Sequence, residues 1–188
     1  MRPPDTTISG DRVREVVAVK EENEKKFWLI QEQWGNDDEW AGKTYVDANR
    51  MFNRIESGED RIVTIEPSTP YDFLNLKPGE EKSVESTFKF GDQFSFPRKM
   101  TVKRVQDETV KVPAGEFENC IHIQCEESTT FSPPNGDPVT IVTKREQWYS
   151  PKVNGLVKDV FTTKGPGGQE EKGSSELKSY TKTKEEKK

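Results

Sequence analysis

The sequence holds few of the residues from which catalytic and metal centres are built. One histidine and two cysteines, His122, Cys120 and Cys125, occur in 188 residues. A zinc site draws three or four ligands from such residues at close spacing, and these three do not form that pattern. No Gly-rich phosphate loop, dinucleotide fingerprint or serine-nucleophile elbow is present, and no cofactor is expected. Asp37, Asp38 and Glu39 crowd together, but without the alternating oxygens and central Gly of a twelve-residue calcium loop. They read as a solvated turn. Cys120 and His122 sit two apart on one predicted strand, where side chains start about 7 Å from each other. A nucleophilic cysteine needs a base within hydrogen-bond reach and an oxyanion site. The expectation is a protein that is not an enzyme. Cys120 and Cys125 stand five apart on that strand, about 16 Å from each other on opposite faces. A disulfide needs Cα atoms within about 7 Å, so two separate thiols are expected.

Long apolar runs and a charge excess of one sign are missing too. No stretch of about 18 apolar residues exists to form a membrane span. The 29 Lys and Arg are interleaved with 34 Asp and Glu, for a net charge of −5. Without a basic face to neutralise phosphates, nucleic acid is not expected as a partner. Residues 1–10 read as a flexible N-terminus. The lysines of residues 182–188, broken by Glu185 and Glu186, read as a solvated flexible tail. Met1-Arg2-Pro3-Pro4-Asp5 has no signal-peptide character, which suits a cytoplasmic protein or one whose leader has been removed.

Only 30% of the residues are hydrophobic, yet there are ten Phe, four Trp and four Tyr. Aromatic side chains bury large areas, so a thin core under a sheet with one wet face is within reach. Helical periodicity is nearly absent. Ala48, Met51, Phe52 and Ile55 alone fall at helix spacing and leave a short helix open there. Elsewhere β-branched and aromatic residues alternate with polar ones, as in Val84-Ser86-Phe88-Phe90, between turns such as Ser57-Gly58-Glu59-Asp60 and Lys77-Pro78-Gly79. About ten short strands with turn signals every 8–14 residues or so predict an antiparallel all-β domain over residues 11–181. The four Trp offer either core packing or a stacking platform, and Trp28 and Trp34 share parity on one strand.

Three stretches carry the most specific information. In Val112-Pro113-Ala114-Gly115, Pro113 cannot donate to a ladder and Gly115 tolerates positive φ, so the chain turns sharply into a strand. Along that strand Phe117, Asn119, Ile121, Ile123 and Cys125 are expected on one face, with Cys120, His122 and Gln124 on the other. Trp148-Tyr149-Ser150-Pro151-Lys152-Val153-Asn154-Gly155-Leu156-Val157-Lys158 reads as a hairpin, and Ser174 to Tyr180 as a closing strand.

Together with Leu74-Asn75-Leu76-Lys77-Pro78-Gly79, these stretches resemble a family of exported bacterial proteins and lipoproteins of unassigned function. The resemblance covers about residues 60–181. Two departures occur. Glu80-Glu81-Lys82 stands where the family often has Trp, and the hairpin is one residue longer than the family's usual form. The resemblance implies a single curved antiparallel sheet or half-open barrel with few or no helices, similar to envelope proteins that handle lipoproteins. It also implies export, to the periplasm or the cell surface. It transfers no catalytic residue. The expected function is binding of an apolar molecule or acyl chain in the concave face of the sheet, with Trp28, Ile30, Phe88, Phe90 and Trp148 as lining residues. The alternative is a structural domain with a filled core that meets another envelope protein.

Overall fold

The computed structural model describes residues 12–22, 25–34, 37–47, 52–57, 62–69, 71–91, 94–132 and 136–181. The expected flexible ends lie outside these residues, as do residues 48–51 of the short-helix expectation. Among the described residues twelve strands occur, in the order β1 (Arg12–Glu22), β2 (Lys25–Trp34), β3 (Asp37–Asp47), β4 (Phe52–Ser57), β5 (Ile62–Thr69), β6 (Glu81–Phe90), β7 (Phe94–Arg104), β8 (Glu108–Val112), β9 (Gly115–Phe131), β10 (Val139–Ser150), β11 (Gly155–Lys164) and β12 (Glu170–Glu176). A single 3₁₀ turn spans Tyr71–Asn75, and no α-helix occurs among the described residues. The strands follow one another across one open antiparallel sheet, except that β8 leaves the path and pairs β9 alone. The all-β expectation holds, with two more strands than the turn signals suggested.

The sheet divides into two compact units. One comprises β1 to β5 and residues 87–95, which form the hairpin end of β6 and β7; the other comprises residues 72–86 and everything from Phe96 onward. In the first unit, Val16, Val17 and Val19 give β1 its β-branched character. The ladder with β2 slips between Val16 and Ala18, so one extra residue is absorbed there as a bulge. The core is small: Phe27, Leu29 and Tyr45 are buried, with Ala18 packed against them. The Phe27 and Tyr45 rings meet edge to face at 6.5 Å.

The second unit is built around β9, seventeen residues long. Its first residues pair with β8, its later ones with β7, and from Ile121 its other edge carries β10. The Pro78-Gly79 corner is a tight turn with Gly79 at φ 86° and the Glu80 amide donating to the Lys77 carbonyl at 2.9 Å. Positive φ at the third position is what a type II turn demands of glycine. The hairpin turn 151–154 closes with Asn154 at φ 50° and its amide on the Pro151 carbonyl at 3.3 Å.

Four expectations need correction. Phe117 does not share a face with Ile121 and Ile123. Asn119 adopts φ 54°, and two residues of β9 oppose one of β8 between the pairs Val110–Phe117 and Glu108–Cys120. This bulge reverses the alternation, so Phe117 and Cys120 enter one cluster with Val110 and Val157. Val157 reaches the same cluster through a second slip, between Trp148 and Tyr149 in the β10–β11 ladder. The closing strand stops at Glu176, not Tyr180. Leu177 continues it irregularly, donating to Val157 and accepting from Ala114, both at 2.9 Å. Asp37 and Asp38 open β3 rather than forming a turn, with Asp37 opposite Trp34. Finally, the sequence reads Arg61 to Ile65 as a strand stopped by Pro67 and Pro70, yet Pro67 does not end β5. That strand runs to Thr69, and its ladder with β6 stops at Glu66, before the ring that has no N–H to give.

Candidate functional site

The backbone register assembles an apolar row across β2 to β6. Ile30 pairs with Thr44, Thr44 with Ile55, Ile55 with Val63, and Val63 with Phe90. Residues directly opposite in an antiparallel ladder share a face with Cβ atoms about 5 Å apart. The row is therefore continuous across five strands. None of its members is buried: the first four are half-buried and Phe90 is 45% exposed. Ile65 and Phe88 pair one step along on the same face, Ile65 buried and Phe88 half-buried. Trp28 pairs with Val19 and Val46 at the matching register position.

The opposite face of these strands has a different character. Its row runs Leu29, Tyr45, Arg54, Thr64, Lys89. Tyr45 is buried at the centre, with the Arg54 guanidinium 3.9 Å from its ring centroid. Its hydroxyl donates to Glu56 at 2.8 Å and accepts from the Lys20 ammonium at 3.2 Å. An aromatic capped by cations and a carboxylate is a finished core. Polar side chains close one face, while the other presents aliphatic and aromatic side chains that remain partly open.

Of the five residues expected to line a site, Ile30, Phe88 and Phe90 therefore belong to one unit and one side of its sheet, and Trp28 holds a register position in the same unit. Trp148 belongs to the other unit, where its indole is fully engaged. It stacks on His122 with ring centroids 4.5 Å apart and planes 15° apart, and its Nε1 donates to Glu108. Lys158 lies 5.8 Å from its ring centroid. Glu108 and Glu146 also flank His122, a grouping that sequence reasoning missed because it depends on β8 folding back beside β9 and β10. The spacing of Glu108, His122 and Glu146 in the chain gives no sign of it.

The cysteines are separate free thiols, both buried. Burial pushes the Cys125 thiol up to about 11 and raises that of Cys120, whose Sγ donates to the Phe117 carbonyl at 3.3 Å. A thiol held protonated is a poor nucleophile. Among the described residues, no three His, Cys, Asp or Glu side chains converge as metal ligands, and no helix is long and apolar enough to cross a membrane.

No protein-family model matches the chain, and no curated protein is significantly similar to it. Among solved structures, the chain is similar to a Bacteroides fragilis protein described as a "putative exported protein with YmcC-like fold". The similarity covers 95% of this chain and 91% of that one, with a TM-score of 0.56 and 16% sequence identity. At that identity the likeness is one of fold: this chain has the architecture of a YmcC-like sheet.

Proposed function

We propose that this is a non-catalytic, exported β-domain that receives an apolar molecule or an acyl chain on the Ile30–Phe90 face of its sheet. The half-exposed apolar row across β2 to β6 carries this reading. Contiguous apolar surface on a water-soluble face costs about 25 cal/mol for each Å² left wet, and such patches mark sites where something binds. The unbranched hydrocarbon of an acyl chain suits a row of Ile30, Thr44, Ile55, Val63 and Phe90, in which Thr44 supplies the one hydroxyl. Export rests on the likeness to the Bacteroides fragilis protein and on the sequence resemblance to exported proteins. The absence of catalysis rests on two buried, protonated thiols and on a single histidine whose ring nitrogens both face carboxylates.

Native mass spectrometry of freshly purified protein tests the proposal. The expected result is a co-purifying apolar adduct that organic extraction removes. A protein with no adduct, and no uptake of added laurate or palmitate, contradicts it and favours the structural-domain reading.

A further inference from the structure

The His122 cluster lies outside the proposed ligand face, and its hydrogen-bond arithmetic has a consequence of its own. Nδ1 lies 3.2 Å from Glu108 on β8, and Nε2 lies 2.5 Å from Glu146 on β10. Both neighbours are carboxylates and act as acceptors when ionised. A neutral imidazole has one N–H, whereas the imidazolium has two. The neutral ring therefore serves one carboxylate and turns a lone pair toward the other.

The other charges around the ring do not relieve this. On its own strand, Gln124 donates to the second oxygen of Glu146 at 3.1 Å. The β11 cation, Lys158, is committed to Glu176 on β12 at 3.0 Å and stands over Trp148 rather than over His122. Asp107, beside β8, is held by Arg104 at 2.7 Å. Lys103 on β7 pairs in register with Gln124, two positions along β9 from His122. Glu108 and Glu146 are thus the groups that read the ring's protonation.

We propose that His122 is a protonation-gated tie between β8 and the sheet. As the imidazolium it joins Glu108 to Glu146 and clamps the β8–β9 hairpin, beneath which Val110, Phe117 and Cys120 are buried. When the ring loses a proton, the shorter contact to Glu146 retains Nε2–H. The Nδ1–Glu108 contact opens, and Glu108 then holds β8 through the Trp148 indole alone. The direction follows from the count of N–H groups: the imidazolium, with two, closes the tie, and the neutral ring, with one, opens it.

Nitrogen-15 NMR of the His122 ring across a pH titration, with amide exchange of β8 corrected for intrinsic rates, tests this. On the acid side both ring nitrogens should be protonated. Above the titration the neutral ring should be the Nε2–H form, and Val110 and Val112 should exchange several-fold faster. Glu108→Gln, a change at a half-exposed carboxylate, should abolish the exchange step while leaving the β9 and β10 spectra in place. A neutral ring protonated at Nδ1 overturns the proposal, as does β8 exchange that ignores the ring's titration or a step that survives in Glu108→Gln.

Discussion

At the scale of single residues, Phe117 and the two thiols show what burial does here. Phe117 is 1% exposed, lies against Cys120, Val110 and Val157, and meets the Tyr180 ring at 5.9 Å. Truncating it to Ala should cost about 3–5 kcal/mol, read as a drop in the urea midpoint. Cys125 gives a pH prediction. Its folded thiol titrates near 11, against about 9 for an ordinary thiol. Because the folded value is raised, this contribution to stability is complete below about pH 9 and is lost as pH climbs toward 11. The loss is at most about 2–3 kcal/mol. Urea unfolding at pH 8 and pH 10.5 should show a steeper decline for the wild type than for Cys125→Ala. Equal declines would show that the thiol does not titrate differently in the folded state. That these cysteines stay apart was legible from their spacing. The joint burial of Phe117 and Cys120 was not, because it hangs on the left-handed conformation of Asn119, which alternation alone does not reveal.

At the scale of elements, the corner before β6 is the best-supported joint. Arg104, at the end of β7, donates to the carbonyls of Leu76 at 2.7 Å and Leu74 at 3.3 Å, and its other nitrogens grip Asp107. Its backbone bonds Gly79 and Glu80 at 2.8 and 3.0 Å. Replacing Arg104 by Met keeps the stem and removes the charged donors, and should cost about 2–3 kcal/mol. The loss should appear as faster amide exchange at Leu76 and Glu80 before it appears elsewhere. The Lys77-Pro78-Gly79 turn, the Val112–Gly115 corner and the 148–158 hairpin could all be read from the sequence, since Pro, Gly and Asn declare their backbone needs locally. The reach of Arg104 into the preceding corner could not, being set by the pairing of Gly79 and Glu80 with β7. The end of the last strand was misplaced because Leu177 keeps extended geometry and backbone bonds after the ladder stops.

At the scale of the whole molecule, alternation and turn spacing were enough to predict an antiparallel all-β chain. The candidate face was partly legible. Ile30, Phe88 and Phe90 stand out by parity within their own strands, but Ile55 and Val63 join them only once four ladders fix the register. Trp148 shared their composition and lies in the other unit, engaged by His122 and Glu108.

The central claim is that the Ile30–Phe90 face binds an apolar chain, and displacement of a fluorescent fatty acid tests it most directly. Ile55→Asp places a carboxylate in the middle of the row. Thr64→Asp places one on the opposite face of the neighbouring strand, so each serves as the other's control, with circular dichroism reporting the fold. The account predicts saturable binding to the wild type and to Thr64→Asp, and at least about a tenfold loss, or 1.4 kcal/mol, in Ile55→Asp. No saturable binding to the wild type, or equal affinity in the two folded variants, would contradict it.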